Sequence, residues 1–185
     1  MTLDRSSLLS DIRKFFINTI FDATFTVMGI ISGSAFTGDA KTVLITLFTS
    51  SVALGISSGV SVYEAETLEE EKRIEELEKA LITDLEDTVL ERNISKRAMM
   101  VSIVILVTPL IPSIITAIPL FASFFGVLEL RQAAFISIAL ALGTLLVIGT
   151  LMATDGIKAR LLKGLRMAFF GGIAFLIGYT LESLL

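Results

Sequence analysis

Asp22 is the residue of this sequence whose type and position best fit ion chemistry inside a membrane. It interrupts an otherwise apolar run, FDATFTVMGIISG, with Thr24 and Thr26 beside it and Met28 and Gly29 further on. An ionisable group at membrane depth is costly unless it faces protein or water, so it marks a functional site by default. The position predicts a site for a cation or a proton. The alternative is that Asp22 lies near the membrane interface and only caps or hydrates the helix.

A second group of acidic residues follows the second apolar run. Residues 64–91 contain twelve of the nineteen acidic residues and only three basic ones. Glu71, Glu75 and Glu78 share one helical face at spacings of four and three, and Glu64 lies nearest the apolar run. Carboxylate oxygens suit hard or borderline divalent cations. The pattern predicts a metal-collecting arm, and the alternative is a solvated charged face with lysine partners.

The residue types that are missing restrict the chemistry further. The chain has no histidine and no cysteine, which removes the commonest metal ligand and the usual general base near neutral pH. A metal site must use oxygen, with Met28 as a candidate sulfur ligand. No nucleotide-binding loop, nucleophile elbow, zinc motif or basic nucleic-acid patch is present. We therefore predict no enzymatic activity, no bound cofactor and no nucleic-acid partner. A membrane enzyme that uses Asp22 is a third and weaker interpretation.

The elements that must position these residues follow from composition. Hydrophobic residues make up 54% of the chain, and the mean hydropathy is +0.82. About 20 apolar residues are needed to cross the hydrocarbon of a bilayer. Five runs qualify: 15–36, 42–63, 98–125, 133–153 and 165–184. The predicted fold is an all-α integral membrane protein with five transmembrane helices. Residues 1–63 form the lead-in and helices 1 and 2, residues 64–97 an acidic cytoplasmic insert, and residues 98–185 helices 3–5.

Local patterns refine this topology. Pro109 and Pro112 lie inside the third run and predict a kink there. Small residues at 55–61 and 171–178 predict close helix contacts. The insert has no proline or glycine in residues 64–97, so it is predicted to continue the second helix and to turn back near residues 82–84. Apolar positions Leu68, Ile74, Leu77, Leu81 and Leu85 form a stripe that requires a partner, either the returning segment or a second subunit.

Orientation follows from the lysines and arginines, which are retained on the cytoplasmic side of membrane proteins. Thirteen of the fifteen lie in the N-terminal segment, in the insert, or in the connection between the last two runs and the first turn that follows it. Lys41 and Arg131 alone fall in the other two connections. We predict a multi-pass protein of the cell membrane with the N-terminus, Lys79 and Lys158 in the cytoplasm and the C-terminus outside.

The order of these features resembles the vacuolar iron transporter family over nearly the whole chain. The resemblance rests on FDATFTVMGIISG, SSGVSVYEAETLEEE, the proline pair PLIP and the final run GLRMAFFGGIAFLIGYTLESLL. It implies five spans, a helical cytoplasmic metal-binding region and a homodimer that exchanges ferrous or related divalent ions for protons at the subunit interface. Asp22 matches the family's first-span aspartate. Leu54 and Ser58 stand where the family has a methionine and a glutamate.

Residues and resemblance together lead to one hypothesis, a homodimeric, proton-coupled transporter of divalent metal ions such as iron or manganese. Its partners are a second copy of the chain, the lipid bilayer and the metal ion, which is a substrate. The alternative is a membrane protein of the same fold that does not transport metal, either a scaffold or a carrier of another small solute. The predicted metal ligands are Asp22, Met28, Glu64, Glu71, Glu75 and Glu78.

Overall fold

The computed structural model of the protein describes residues 5–34, 38–81, 89–152 and 156–184. In this part of the chain the structure contains helices and no strands. The helices are α1 (Arg5–Ser34), α2 (Ala40–Leu81), α3 (Val89–Val107), α4 (Leu110–Phe124), α5 (Leu130–Leu151) and α6 (Ile157–Leu184). Five stretches are long and apolar enough to cross a membrane: Ile12–Ser34, Ala40–Glu76, Lys96–Phe124, Leu130–Leu151 and Ile157–Leu184. The prediction of an all-α protein with five such helices is confirmed.

The first two helices extend beyond their apolar runs. The lead-in before residue 15 is part of α1, which begins at Arg5. The second helix joins the apolar run and the acidic arm in 42 continuous residues, a length of about 63 Å at 1.5 Å per residue. That is roughly twice the ~30 Å of bilayer hydrocarbon. The predicted continuation of the second run into the arm is confirmed, and the turn predicted near residues 82–84 lies outside the described residues.

An aspartate starts α2 directly after the short connection from α1. The Asp39 carboxylate accepts hydrogen bonds from the backbone N–H groups of Lys41 (3.0 Å) and Thr42 (3.1 Å) and from the Thr42 hydroxyl (2.6 Å). The bond from the Thr42 hydroxyl contributes most to lowering the pKa of Asp39. A side chain in this position satisfies amide groups that have no partner inside the helix. The cap therefore fixes where α2 begins.

The third membrane-length stretch, Lys96–Phe124, is divided into α3 and α4 at the prolines. The first helix ends at Val107 and the second begins at Leu110, so the predicted kink is a break. Hydroxyl groups bind backbone carbonyls at this break. Thr108 donates to the Val104 carbonyl (2.8 Å), and Ser113 donates to the Pro109 carbonyl (2.9 Å). The buried Ser113 hydroxyl also shares a hydrogen bond with Ser51 of α2. Polar groups at the break are thus satisfied within the bundle.

The last two helices meet at paired glycines. A β-carbon on Gly149 of α5 would lie 2.8 Å from the Cα of Gly164 of α6, so larger residues would separate the two backbones. Helix α6 begins at Ile157 and not at residue 165, where the apolar run starts. The prediction placed this helix eight residues too late, because hydropathy marks the apolar boundary and a basic helix turn can extend past it.

Two apolar clusters hold the helices together. The larger one joins α1, α2, α4 and α5 around Met28, Ile31, Leu47, Leu120 and Leu145. The smaller one consists of Val62, Val101 and Ile105, and Ile12, Phe15 and Phe16 of α1 pack against it. The smaller cluster joins α1, α2 and α3. It lies next to the point where the acidic arm leaves the bundle.

Candidate ion-binding site

Asp22 lies halfway along the apolar part of α1. It is about 15 Å from Ile12 and about 18 Å from Ser34, the ends of the apolar stretch. The side chain is exposed on the surface of the protomer. Asn18 Nδ2 donates to Asp22 Oδ2 at 3.3 Å, whereas the Thr26 hydroxyl donates to the Asp22 backbone carbonyl at 2.8 Å. One carboxylate oxygen therefore has an amide partner, and the group faces away from the helix bundle.

The same face of α1 carries further small or polar residues. We call it the α1 polar stripe: Asn18, Asp22, Thr26, Gly29 and Gly33, all exposed. Within the described residues nothing lies within 4 Å of a β-carbon built on either glycine. The apolar side chains of α1 point the other way, into the core. The stripe is therefore a polar surface without large side chains, against which another surface can pack closely.

Met28 is placed away from this stripe. Its side chain is fully buried in the larger apolar cluster. Its sulfur would lie 3.5 Å from a β-carbon on Gly171 of α6. Six residues separate Met28 from Asp22, which puts the two on different faces of a helix with 3.6 residues per turn. The structure does not bring this predicted sulfur ligand to Asp22.

Helix α2 has two exposed flanks of different character. The α2 polar flank consists of Thr46, Ala53, Ser57 and Ser61, at spacings of seven, four and four. The α2 apolar flank consists of Ile45, Val52, Ile56 and Val60. Both flanks run along the membrane-length part of the helix. They differ in chemistry and in which neighbouring helix they adjoin.

The contacts of α2 show which flank adjoins which helix. In the described residues α2 packs against α1, α3 and α4. On the side of the apolar flank, Gly55 and Gly59 meet Leu106 of α3, and Phe48 contacts Phe121 of α4. This leaves α1 as the neighbour on the side of the polar flank. The α1 polar stripe and the α2 polar flank therefore adjoin on one surface of the protomer.

The two polar surfaces also match in depth. Asp22 lies twelve residues before the end of α1, and Ala53 lies thirteen residues after the start of α2. Since the two helices are antiparallel neighbours, both positions are about 18–20 Å from the α1–α2 connection. Leu54 and Ser58 are half-buried toward the bundle. Within the α2 polar flank, the hydroxyl of Ser57 is the polar group nearest this depth.

The acidic arm continues the α2 polar flank. Glu64, Glu71 and Glu75 are exposed and fall in the helical register of Ser57 and Ser61. We call these three residues and Glu78 the outer acidic face; the Glu78 side chain lies outside the described part of the structure. Lys79 Nζ donates to Glu75 Oε1 at 2.6 Å, and this bond raises the pKa of Lys79. One carboxylate of the face is thus partly neutralised within the helix.

The opposite side of the arm carries a different set of carboxylates, which the sequence analysis did not single out. Glu66 is buried at 8% exposure. Glu70 forms an ion pair with Arg97 of α3 at 3.7 Å and one with Arg73 at 3.9 Å. A cavity of about 530 Å³ lies here, lined by Glu66, Glu69, Glu70, Lys72, Arg73, Glu76 and Arg97. We call Glu66 and Glu70 the inner acidic face.

A sequence signal for the inner face did exist. Glu66 and Glu70 continue the helical register of Gly55 and Gly59, which pack on α3. A carboxylate in that register must face α3 and would require a cation there, which Arg97 supplies.

A further carboxylate, Glu182 near the end of α6, has a buried Oε1 without a hydrogen-bond partner among the described residues. Its place at the end of the last apolar run gave no signal.

The sequence matches no known family, and no curated protein matches it significantly. Within the described residues no three carboxylates come together in an arrangement that could hold a metal ion. The metal role of Asp22, Met28, Glu64, Glu71, Glu75 and Glu78 therefore stays a prediction, and so does membership of the vacuolar iron transporter family.

Proposed function

We propose that the chain is a homodimeric membrane transporter that exchanges divalent cations for protons across the cell membrane. The observation that supports this most strongly is the position of Asp22, which is exposed on the protomer halfway along an apolar helix. A carboxylate at that depth is unfavourable against lipid and is expected to face protein or water. The α1 polar stripe must then be covered by another polar surface.

A second copy of the chain is the partner that fits this surface. Cyclic two-fold dimers are the commonest oligomers, and each contributes the same surface to the contact. Glycines such as Gly29 and Gly33 allow two helix backbones to approach closely in a membrane. The two Asp22 carboxylates would then face one seam, and their repulsion is relieved when a proton or a cation lies between them. One group can thus bind either of the two exchanged ions.

The outer acidic face would supply cations to this seam. Glu64, Glu71 and Glu75 lie in the register of the α2 polar flank, so a cation held along the arm reaches Ser61 and Ser57 without crossing to another side of the helix. Clustered negative charge raises the local concentration of cations. Oxygen ligands favour hard or borderline divalent ions such as Mn²⁺ and Fe²⁺. The excess of lysine and arginine on three segments supports a cytoplasmic arm.

Transport into proteoliposomes tests the proposal. Purified protein should accumulate Mn²⁺ when a pH gradient is imposed and much less without one. Asp22→Asn should abolish the gradient-dependent uptake, because the amide keeps the size of the side chain and cannot exchange a proton for a metal ion. Asp39→Asn, outside the apolar stretches, is the matched control and should retain uptake. Normal uptake by Asp22→Asn, or uptake that ignores the gradient, would contradict the proposal.

A further inference from the structure

An apolar groove lies between α2 and α4, near the start of α2. Its walls are formed by Leu44, Ile45 and Phe48 of α2 and by Phe121 and Phe124 of α4. The groove has a volume of about 410 Å³. Thr49 also lines it, but the Thr49 hydroxyl donates to the Ile45 carbonyl at 2.8 Å. Almost the whole lining is therefore hydrocarbon, including the ring pair of Phe48 and Phe121, whose centroids are 6.2 Å apart.

One end of this groove carries a positive charge. Lys41 lines the groove in the first turn of α2 and is exposed. No ion pair joins Lys41 to any residue that the structure describes. The nearby Asp39 carboxylate is directed at the Lys41 and Thr42 backbone amides and the Thr42 hydroxyl. The groove thus combines an apolar lining with a positively charged lysine at one end.

The dimensions of the groove match one leaflet of a bilayer. Lys41 and Thr49 are eight residues apart, so the channel follows α2 for about 12 Å. Half of the ~30 Å hydrocarbon thickness is about 15 Å. Lys41 lies at the end of the apolar stretch that begins at Ala40, where lipid phosphates would be located. The groove therefore runs from headgroup level toward the middle of the membrane.

The proposed contact with a second copy of the chain lies away from the groove. Ile45 belongs to the α2 apolar flank, whereas the proposed dimer seam adjoins the α2 polar flank, about 100° further around the helix and next to α1. Ile45 and Phe124 are 54% and 49% exposed, so the groove opens outward. An occupant must offer a flexible hydrocarbon chain and a negative group at its end.

We propose that this groove binds one acyl chain of an anionic phospholipid, with the lipid phosphate or acidic headgroup contacting Lys41. The inference goes beyond the proposed transport activity, but it rests on the proposed dimer seam and requires that the apolar helices span a bilayer. A lysine near a membrane surface contributes about 1 kcal/mol to attraction of anionic lipid, which corresponds to about a fivefold preference. Neutral phospholipids fill the same channel without this preference.

Lipid retention measured by native mass spectrometry of the full chain tests the proposal. The protein is released from vesicles that contain equal amounts of phosphatidylglycerol and phosphatidylcholine. The wild type should retain phosphatidylglycerol about fivefold over phosphatidylcholine. Lys41→Gln should bring the ratio close to one. Thr49→Phe should lower retention of both lipids, because its ring fills the channel from an exposed position and leaves the core unchanged.

Arg131→Gln is the matched control, since Arg131 is the other cation on the predicted outer side and does not line the groove. It should leave the lipid ratio unchanged. Equal retention of the two lipids by the wild type would show bulk lipid only and overturn the proposal. An equal loss of preference in Lys41→Gln and Arg131→Gln would overturn it too, because general surface charge would then explain the effect. Dissociation of the dimer by Thr49→Phe would assign the groove to a second copy.

Discussion

The two sides of α2 differ along its whole length. One side carries small and hydroxyl residues in the apolar stretch and then the exposed Glu64, Glu71 and Glu75. The other side packs Gly55 and Gly59 on α3 and then directs Glu66 and Glu70 toward Arg97. Both sides of the arm contain glutamates, and on the inner side Glu70 is paired with a cation from another helix, Arg97 of α3. Whether a glutamate is available to bind a substrate ion therefore depends on the residues beside it more than on how many glutamates the arm contains.

The inner and outer glutamates differ in whether their charge holds helices together or is available to bind an ion. A carboxylate buried against an arginine is costly to leave unpaired, so the inner face is committed to holding α2 and α3 together. An exposed glutamate next to water contributes little to stability and is available to bind a cation. On this basis we propose that the outer face and the α1 polar stripe form the ion path and that the inner face positions the arm.

The largest expected effect comes from disturbing the α1 polar stripe. Gly33→Leu should convert the dimer to a monomer, because the side chain enters the seam from both copies and overpacking costs about 1–3 kcal/mol each time. The protomer itself should stay folded, since a β-carbon on Gly33 meets nothing within 4 Å. Light scattering in mild detergent measures the change. Gly143→Leu, on α5 and equally open, is the control; a Gly33→Leu dimer of wild-type affinity would refute the seam.

A smaller effect is expected from the inner acidic face. Glu70 pairs with Arg97, whose side chain is 15% exposed, and with Arg73, whose side chain is 67% exposed. Arg97→Gln should destabilise the protein by about 2 kcal/mol, because it leaves a mostly buried carboxylate without this cation. Arg73→Gln should cost less than about 0.5 kcal/mol. Thermal unfolding of both variants measures the difference, and equal shifts would show that α3 is not held through this pair.

The smallest expected effect concerns the outer acidic face. Replacing Glu71, Glu75 and Glu78 together by Gln should weaken Mn²⁺ binding several-fold and leave the unfolding temperature nearly unchanged. Binding by the wild type should also weaken in acid, because a protonated carboxyl group loses the charge that attracts the cation. Calorimetry measures both. Glu69→Gln with Glu76→Gln, which alters the cavity side of the same helix, should reduce binding less; the reverse order would assign ion binding to the cavity side of the arm.

The sequence predicted the membrane-length helices, but it did not predict which side of each helix faces its neighbours. Apolar length predicted the five membrane-length helices, and the absence of proline and glycine predicted the continuous arm of α2. The prolines predicted a kink in the third apolar run, where the structure has a break between α3 and α4. Which glutamates face α3 depends on long-range packing, so Glu70 and Arg97 were missed. Met28 was named as a ligand because it is close to Asp22 in sequence, but helical register places its side chain in the core.

The central claim, that the α1 polar stripe meets its own copy, is tested most directly by cysteine crosslinking in membranes. The chain contains no cysteine, so single cysteines can be introduced without a background. Asn18→Cys, Thr26→Cys and Gly33→Cys sample the stripe, and Ile45→Cys, Ile56→Cys and Val60→Cys sample the α2 apolar flank as matched controls. A disulfide requires Cα atoms within about 7 Å. Oxidation should yield covalent dimers in the stripe series and only monomers in the flank series. Dimers confined to the flank series would contradict the account, because Asp22 would then face lipid.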